Sequence, residues 1–343
     1  MWSVSGDGYF LRDYIIYNLV YMNVSFSYKI NNLYFGKCWF VYLPLKKING
    51  YTIKENGMAR EENVTVFRDT EKQVKSNSKL KDAVDNSSAN QKLILETDEI
   101  SVPDKDRYKN TAEIIVSKKR TLEAASGYKG LNICVHNFAS ATNPGGGVVR
   151  GSSAQEECLC RCSTLYFNLN SPDMWAGFYT PHRMEHNPIH NDDCIYTPDV
   201  VVIKTDTAKP MLMPENEWYK VNMITCAAPN LREKPSNMMN SGDGDERVKI
   251  TDDELLAIHE KRFTRILDIA LTNNNDVVIL GAFGCGAFEN NPGVVAAAAK
   301  NVVKKYMYAF RVIEFAVYCS PRDSHNYDVF NSVLGNIKQR HKR

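Results

Sequence analysis

The residues best suited to chemistry in this chain are two adjacent glutamates that follow a glycine-rich turn. Seven residues separate the run Asn143-Pro144-Gly145-Gly146-Gly147 from Gln155, Glu156 and Glu157. Glycine has no Cβ, so three consecutive glycines let the backbone turn tightly and approach a ligand closely. Glutamate is one of the side chains that proteins use for general acid–base catalysis. The pattern therefore predicts a phosphate-binding loop beside an acid–base group.

The two glutamates are expected to have different roles. On a helix, side chains at adjacent positions point about 100° apart, so Glu156 and Glu157 are not an equivalent pair on either side of one bond. One would do the chemistry while the other holds a hydroxyl or orients the loop. The alternative is that both are ordinary first-turn residues favoured by the helix dipole. The three glycines favour the functional interpretation, because an ordinary helix start has no use for them.

A second glycine-rich loop follows a strongly apolar segment. Val277–Leu280 predicts a buried strand, Gly281–Phe288 a turn, and Pro292 the first turn of a helix. Backbone N–H groups at such a strand–loop–helix junction can bind phosphate. The glycine spacing matches neither the dinucleotide-binding fingerprint nor the P-loop. A simple tight turn is the alternative, but two such loops in one chain predict a diphosphate held from both sides. Phe283 and Phe288 would stack on a base or sugar, or else pack in the core.

A third pattern contains three histidines spaced by four and one cysteine: His182, His186, His190 and Cys194. On a helix this spacing would align metal ligands, but the prolines, asparagines and aspartates between them predict a loop. No paired Cys-x-x-Cys motif accompanies the histidines. The sequence therefore predicts no metal site, and we expect no cofactor.

The rest of the chain predicts a mixed α/β layered domain with helices on both faces of the sheet. Near-continuous apolar runs indicate strands covered on both faces, at 131–137, 200–205, 223–227, 277–280 and 312–318. Helical patterns occupy 112–125, 155–167, 252–271 and 292–308. The polar segments 168–199 and 229–250 have the composition of insertions that form the walls or lids of a site.

Composition limits the possible partners and compartment. The formal net charge is only +2, so no global field favours nucleic acid, and we expect no sequence-specific nucleic-acid binding. The nine cysteines are scattered, which favours free thiols in a reducing compartment, the cytoplasm or the nucleus. We expect no membrane association, because no segment reaches the ~20 apolar residues that cross a bilayer and no basic signal region begins the chain. A monomer is expected.

Three regions are predicted along the chain. Residues 1–51 differ in composition from the rest and carry no motif. They form either an accessory hairpin or partner-binding extension, or else a poorly ordered extension or translated upstream sequence that the working protein lacks. We favour the second interpretation, because termini tolerate such changes best. Residues 62–335 form the main domain. Residues 336–343 form a short basic tail, which resembles a solvated terminus more than a binding arm.

The motifs together resemble a known family. Three glycines, seven residues and Gln-Glu-Glu look like the signature of poly(ADP-ribose) glycohydrolases. The flanking segments 137–144 and 159–166 resemble the microbial type, and 195–200, 227–230 and 281–288 continue the likeness. The resemblance covers about residues 62–320. It implies a macrodomain fold, a three-layer α/β/α sandwich with a mixed sheet and an ADP-ribose cleft at its crest.

The resemblance also implies roles for individual residues. Glu157 matches the catalytic glutamate, while Glu156 and Gln155 would fix the distal ribose and the loop. The other implied substrate-binding residues are Asn137, Gly145, Gly146, Gly147 and Val148 on the first side, and Gly281, Ala282, Phe283, Gly284, Cys285, Gly286, Ala287 and Phe288 on the second. Among these, Gly284 to Ala287 would hold the diphosphate and Phe288 would lie near the distal ribose. No short motif marks the adenine contacts.

The implied reaction is cleavage of the ribose–ribose bonds of poly(ADP-ribose), which releases ADP-ribose. Such cleavage passes through an oxocarbenium-like state and requires a proton for the leaving group and then an activated water. Glu157 is expected to supply both functions, with Glu156 assisting. The alternatives are a non-catalytic ADP-ribose reader and a hydrolase acting on mono-ADP-ribosylated protein or nucleic acid. A nicotinamide-dependent oxidoreductase is disfavoured by the glycine spacing. Exo and endo cleavage are both compatible with the sequence.

Overall fold

A mixed β-sheet organises the fold. The computed structural model describes residues 53–237, 241–320 and 323–337, and in them the sheet has seven strands in the order β1-β4-β5-β3-β6-β7-β2. The strands are β1 Lys92–Ile94, β2 Glu113–Ser117, β3 Ile133–Ala139, β4 Cys194–Val202, β5 Tyr219–Ala227, β6 Val277–Leu280 and β7 Val312–Ala316. β4 is antiparallel to both β1 and β5, while β5, β3, β6, β7 and β2 run parallel to one another.

Helices precede, separate and follow the strands in the described part of the chain. They are α1 Ile53–Ser76, α2 Ser78–Ala89, α3 Thr121–Ser126, α4 Gln155–Cys162, α5 Leu165–Leu169, α6 Pro172–Met174, α7 Thr180–Glu185, α8 Asp252–Thr272, α9 Pro292–Val303 and α10 His325–Leu334. A single π-helical segment, Trp175–Tyr179, joins α6 to α7. A capping box begins α8: the hydroxyl of Thr251 accepts from the N–H of Glu254, whose carboxylate accepts from the N–H of Thr251.

Alternate residues of the central strands enter two separate hydrophobic cores. In β6, Val278 packs in the core that includes residues of α8, α9 and α10, whereas Ile279 packs in the core that includes residues of α3, α4 and α5. The side chains of a strand point alternately to the two faces of the sheet. The sheet is therefore covered by helices on both faces, and the predicted α/β layered fold is confirmed.

The parallel strands bring five connections to one edge of the sheet. The chain leaves β3, β5, β6, β7 and β2 at their carboxyl ends, and parallel strands place those ends side by side. Both glycine-rich segments are among these connections, one after β3 and the other after β6. In α/β sheets this edge is where ligands bind. The fold thus places the two predicted loops on neighbouring strands.

Three predicted helices are wrong in their bounds. The helix predicted over 292–308 ends at Val303. Residues 112–125 form the edge strand β2 and the short helix α3 instead of one helix, because Glu113–Ser117 pairs with β7. The predicted helix 155–167 is interrupted at Ser163 and Thr164. There the Thr164 N–H donates to the carbonyl of Val201, so the chain pairs briefly with β4 before it enters α5.

The predicted polar insertion 168–199 contains more regular structure than its composition indicated. Pro181 stands in the first turn of α7, directly after the π-helical segment. The last residues of the insertion, 194–199, belong to β4. The prediction of a loop around His182 is therefore wrong, although the chain does leave the helix at His186, whose φ is 50°.

The predicted extension 1–51 and residues 338–343 of the predicted tail lie outside the described residues. α1 spans residue 62, the predicted start of the main domain. Within the described ranges, none of the helices is both long and apolar enough to cross a lipid bilayer.

Candidate active site

The Glu156 carboxylate is fixed by groups at the end of β3. Its Oε1 accepts from Asn137 Nδ2 at 3.2 Å, and its Oε2 accepts from the Ser140 N–H at 2.8 Å. Asn137 also donates to the hydroxyl of Thr225 on β5, at 3.1 Å. All these groups are buried. Glu156 is therefore a rigid link between α4 and two adjacent strands.

The Glu157 carboxyl group has one fixed oxygen and one without a hydrogen-bond partner. Its Oε1 accepts from the Gly147 N–H at 2.9 Å, whereas its Oε2 has no such partner among the described residues. The Glu157 residue is only 7% exposed. The two adjacent glutamates thus have different surroundings, as predicted from their divergence on a helix.

Burial raises the pKa of both carboxyl groups. The pKa of Glu156 rises to about 8, mainly because burial penalises the charged form; the nearby Glu157 adds to the rise, and hydrogen bonds from Ser140 and Asn137 oppose it. The pKa of Glu157 is also raised, again mainly by burial, with the Gly147 N–H opposing. Protonated carboxyl groups near neutral pH can act as general acids.

The first glycine loop depends on glycine at two positions. Gly145 and Gly146 have φ values of 67° and 56°, in the left-handed region that side chains rarely adopt. A Cβ on Gly146 would lie 2.6 Å from Oε1 of Glu157, and one on Gly145 would lie 2.8 Å from the Tyr166 ring. The loop is therefore shaped around the carboxyl group of Glu157.

Gln155 connects α4 to the β3 main chain. Its Oε1 accepts from the N–H of Phe138 at 2.9 Å, and its Nε2 donates to the carbonyl of His136 at 2.8 Å. Both of its amide atoms are engaged with the protein. In the structure Gln155 therefore holds the start of α4 against the strand that carries Asn137.

The second glycine loop lies close to the sheet and to the residues after β5. A Cβ on Gly281 would lie 2.7 Å from the carbonyl oxygen of Ala316, at the end of β7. Gly284 has a φ of 76°, and its Cβ would lie 2.6 Å from the side chain of Ala228. Gly286, in contrast, has no atom within 4 Å of a Cβ position. The loop is tightly packed at its base and open at its tip.

The remaining predicted binding residues differ in their exposure. Val148 and Phe283 are fully buried, so their side chains belong to the core. The ring of Phe283 packs against His136, with 4.4 Å between the ring centroids, and is not available to stack on a ligand. Ala282, Cys285 and Phe288 are half-buried, and Ala287 is exposed. The open part of the loop therefore consists of residues 284–288.

Arg183 contacts the residues before the first glycine loop, and the sequence did not indicate this role. Its Nε donates to the carbonyl of Thr142 at 2.6 Å, and its Nη2 donates to the side chain of Asn143. Its guanidinium group also lies 4.7 Å from the ring centre of Trp175. Arg183 thus ties the 168–199 segment to the residues that enter the first glycine loop.

An exposed cation–aromatic pair stands at the same edge of the sheet and was also missed. Tyr318, just after β7, is 50% exposed, and the Arg120 guanidinium lies 4.0 Å from its ring centre. Arg120 follows β2, the parallel neighbour of β7. An exposed tyrosine beside a planar cation offers a flat surface for an aromatic ligand.

Two of the three histidines in the third pattern contact groups of the protein itself. His182 contacts the carbonyl of Phe178 and the side chain of Asn191, each at 2.8 Å, and His190 Nδ1 contacts the carbonyl of Ala228 at 2.9 Å. In the described part of the chain, no three His, Cys, Asp or Glu side chains are grouped so that they could hold a metal ion.

Comparisons with known proteins point to one family. Residues 60–205 match the family model of the microbial-type PARG catalytic domain, where PARG denotes poly(ADP-ribose) glycohydrolase. No curated protein sequence matches the chain. The resemblance drawn from the sequence motifs is confirmed by the family model and by solved structures.

Three of the similar structures are bacterial. Poly(ADP-ribose) glycohydrolase from Thermomonospora curvata is 24% identical with a TM-score of 0.65, covering 80% of this chain and 100% of its own. The structure of the same enzyme bound to the inhibitor ADP-HPD is 24% identical with a TM-score of 0.64, covering 79% of this chain and 99% of its own. The enzyme from Deinococcus radiodurans in complex with ADP-ribose is 28% identical with a TM-score of 0.62, covering 74% of this chain and 98% of its own. The predicted macrodomain-like three-layer fold is thereby confirmed.

Proposed function

We propose that this chain is a poly(ADP-ribose) glycohydrolase, which cleaves the ribose–ribose O-glycosidic bonds of the polymer and releases ADP-ribose. The observation that carries the proposal is the asymmetry of the Glu157 carboxyl group. One oxygen is held by the Gly147 N–H, and the other is buried without a hydrogen-bond partner in the described residues. Such a group can be held in place by one atom while it reacts through the other.

The first half of the reaction requires a proton for the leaving group. Because Oε1 of Glu157 accepts the Gly147 N–H, the proton of the neutral carboxyl group belongs on Oε2. Burial raises the pKa of Glu157, which keeps that proton in place until the substrate binds. As the glycosidic bond breaks, Oε2 donates the proton to the departing 2′-hydroxyl oxygen, and an oxocarbenium-like ribose forms.

The second half of the reaction uses the same carboxylate as a base. Glu157, now ionised, takes a proton from a water molecule while the water oxygen bonds to the anomeric carbon. The proton returns to Oε2, and the enzyme is restored. The diphosphate of the substrate would stabilise the positive charge on the ribose between the two steps, because opposite charges attract strongly in a site shielded from water.

The surrounding groups are proposed to bind the substrate. Glu156 and Asn137 would contact the distal ribose, with Gln155 holding α4 in register, and Gly145–Val148 would line the first side. The main chain of the second loop at Gly284–Ala287 would hold the diphosphate, and half-buried Phe288 would pack near the distal ribose. The buried ring of Phe283 would support this loop from below.

The adenine end of the substrate is proposed to lie on Tyr318. This ring is half exposed, and it follows β7 at the carboxyl edge, where Ala316 touches Gly281 of the second loop. Aromatic side chains of this kind stack on bases without requiring a particular sequence context. Arg120, which covers part of the same ring, would keep its orientation fixed.

We also propose a cellular compartment, an oligomeric state and domain bounds for this protein. The eight cysteines in the described residues are all free thiols, which supports action in a reducing intracellular compartment. We propose a monomer that acts on poly(ADP-ribose) or on ADP-ribosylated macromolecules, with its glycohydrolase domain spanning residues 62–335. Residues 1–51 would be an extension of that domain.

The test of this function is to incubate the protein with defined poly(ADP-ribose), with mono-ADP-ribosylated protein and with ADP-ribosylated nucleic acid. Release of ADP-ribose from the polymer is expected. Calorimetric titration with ADP-ribose, run in parallel, separates catalysis from binding. Binding of ADP-ribose without release from any of the substrates would overturn the proposal in favour of a reader. Release from the mono-ADP-ribosylated substrates alone would overturn the proposed substrate.

A further inference from the structure

A buried histidine–asparagine pair lies beneath the second glycine loop. His259, on α8, is fully buried, and its Nε2 lies 2.8 Å from Oδ1 of Asn290, which is 2% exposed. Asn290 follows the loop by two residues and precedes α9. A polar pair buried this deeply is costly unless each atom has its partner, so its hydrogen bonds define how the side chains must be oriented.

The orientation of the Asn290 amide follows from its other contacts. Its Nδ2 donates to the carbonyl of Pro229 at 2.6 Å and to the carbonyl of Phe288 at 3.1 Å. Two carbonyl acceptors require the amide nitrogen on that side, so Oδ1 must face His259. An acceptor at Oδ1 in turn requires a hydrogen on Nε2 of His259.

Asn290 also contacts the loop through its main chain. Its N–H donates to the carbonyl of Gly284 at 3.0 Å, and a Cβ on Gly284 would lie 2.9 Å from the Asn290 amide. One residue therefore holds both ends of the segment 284–288 and joins it to Pro229, after β5. The loop can keep its shape only while the amide keeps its orientation.

His259 is held in a single state by its surroundings. Its ring meets the ring of Phe283 edge-on, with 5.4 Å between centroids and an interplanar angle of 85°. Burial lowers the pKa of His259 to about 4, with the nearby Arg262 adding to the effect. Its Nδ1 has no hydrogen-bond partner among the described residues. The ring is therefore neutral near pH 7, with its hydrogen on Nε2.

We propose that His259 is a positioning residue for substrate binding: its Nε2–H orients the Asn290 amide, and that amide holds the second glycine loop in the shape that receives the diphosphate. This inference rests on the proposed function, because it assigns the diphosphate to that loop. His259 would act through Asn290 without touching the substrate, and it should influence affinity more than the chemical step.

The matched variants His259→Gln and His259→Asn test the role of Nε2. Glutamine places its amide nitrogen near the position of Nε2, whereas asparagine reaches only the position of Nδ1. We expect His259→Gln to keep most of the affinity for ADP-ribose, and His259→Asn to weaken it about tenfold or more. With polymer as substrate, His259→Asn should raise KM by a similar factor and leave kcat nearly unchanged. Calorimetry and steady-state kinetics give these values.

Two further variants make the test decisive. Asn290→Ala should raise KM as His259→Asn does, while Glu260→Gln, at the next position of the same helix, should bind ADP-ribose like the wild type. Equal affinities for His259→Asn and the wild type, or equal losses for His259→Gln and His259→Asn, would overturn the proposal. If the wild type neither binds ADP-ribose nor cleaves polymer, the proposed function fails instead, and the two failures are distinguishable.

Discussion

The main-chain N–H of Gly147 donates to Oε1 of Glu157 at 2.9 Å, and this bond separates the roles of the two carboxyl oxygens. Glu157 lies in the first turn of α4 and Gly147 ends a glycine run, so the bond fixes the acid against the loop that would receive the distal ribose. The bond is possible because Gly146 has no side chain at this point. The geometry of the acid is thus set by the backbone, with no other side chain needed to position Oε1.

We expect Glu157→Gln to remove almost all activity. The amide has nearly the shape of the carboxyl group, but it cannot donate a proton to the leaving 2′-hydroxyl and then recover one from water. Loss of a general acid–base group lowers rates by about 10²–10⁴-fold. The measurement is the initial rate of ADP-ribose release from polymer.

Binding of ADP-ribose to the same variant provides the control. Its Kd should stay close to the wild-type value, because the isosteric amide keeps its place in the site. Near-wild-type release by Glu157→Gln would show that another group supplies the proton.

The loop geometry is tested by a pair of glycine variants. Gly146→Ala should lower kcat by about 10²-fold, because its Cβ would lie 2.6 Å from Oε1 of Glu157 and displace the acid by a fraction of an ångström or more. Its φ of 56° adds backbone strain of about 1–3 kcal/mol. Rates and melting temperatures measure the two effects.

Gly127→Ala is the matched control, since Gly127 has a φ of −70° and its Cβ would meet nothing closer than 3.4 Å. We expect it to match the wild type in both activity and stability. Equal activity of Gly146→Ala and Gly127→Ala would contradict the close packing of the loop on Glu157.

These contacts show which parts of the site a sequence can predict. Gly147 and Glu157 are close in the chain, and their residue types alone indicated a loop beside an acid. The roles of Arg183 and His259 depend on segments that the fold brings together from distant positions: Arg183 reaches back to Thr142, and His259 reaches forward to Asn290. No local spacing marks such residues, so they could not be found before the structure.

The fold was predictable to a similar degree. The central strands β3 and β6 are mostly apolar because both faces are covered, and their sequences alone identified them. The edge strand β2 was mistaken for part of a helix, because its residues are only partly buried and its pairing partner β7 lies far along the chain. A partly exposed five-residue strand carries too little periodicity to outweigh a neighbouring helical pattern.

The contribution of Glu156 to the stability of the protein should fall as pH rises. The pKa of Glu156 is raised in the folded state to about 8 from an ordinary value of 4.5, so between these pH values the folded state binds a proton that the unfolded state has lost. The free energy of unfolding then decreases by up to about 1.4 kcal/mol per pH unit over that range.

Melting temperatures of the wild type and Glu156→Gln between pH 5 and 8 measure this effect. The melting temperature of the wild type should fall relative to that of the variant as pH rises across this range, because the variant has no proton to lose at this position. Identical slopes for the two proteins would rule out a raised pKa at Glu156.

Arg183 is expected to support catalysis from the 168–199 segment. Its guanidinium group donates from two nitrogens to the Thr142 carbonyl and the Asn143 side chain, a fork that lysine cannot reproduce. Both Arg183→Ala and Arg183→Lys should therefore lower kcat/KM, each by about tenfold, because the chain entering the first glycine loop would lose two charge-assisted hydrogen bonds. Steady-state kinetics with polymer give the values.

The control is Arg247→Ala, which removes an exposed ion pair with Glu233 that is 3.2 Å long. Full activity of Arg183→Lys would show that only the charge at this position matters.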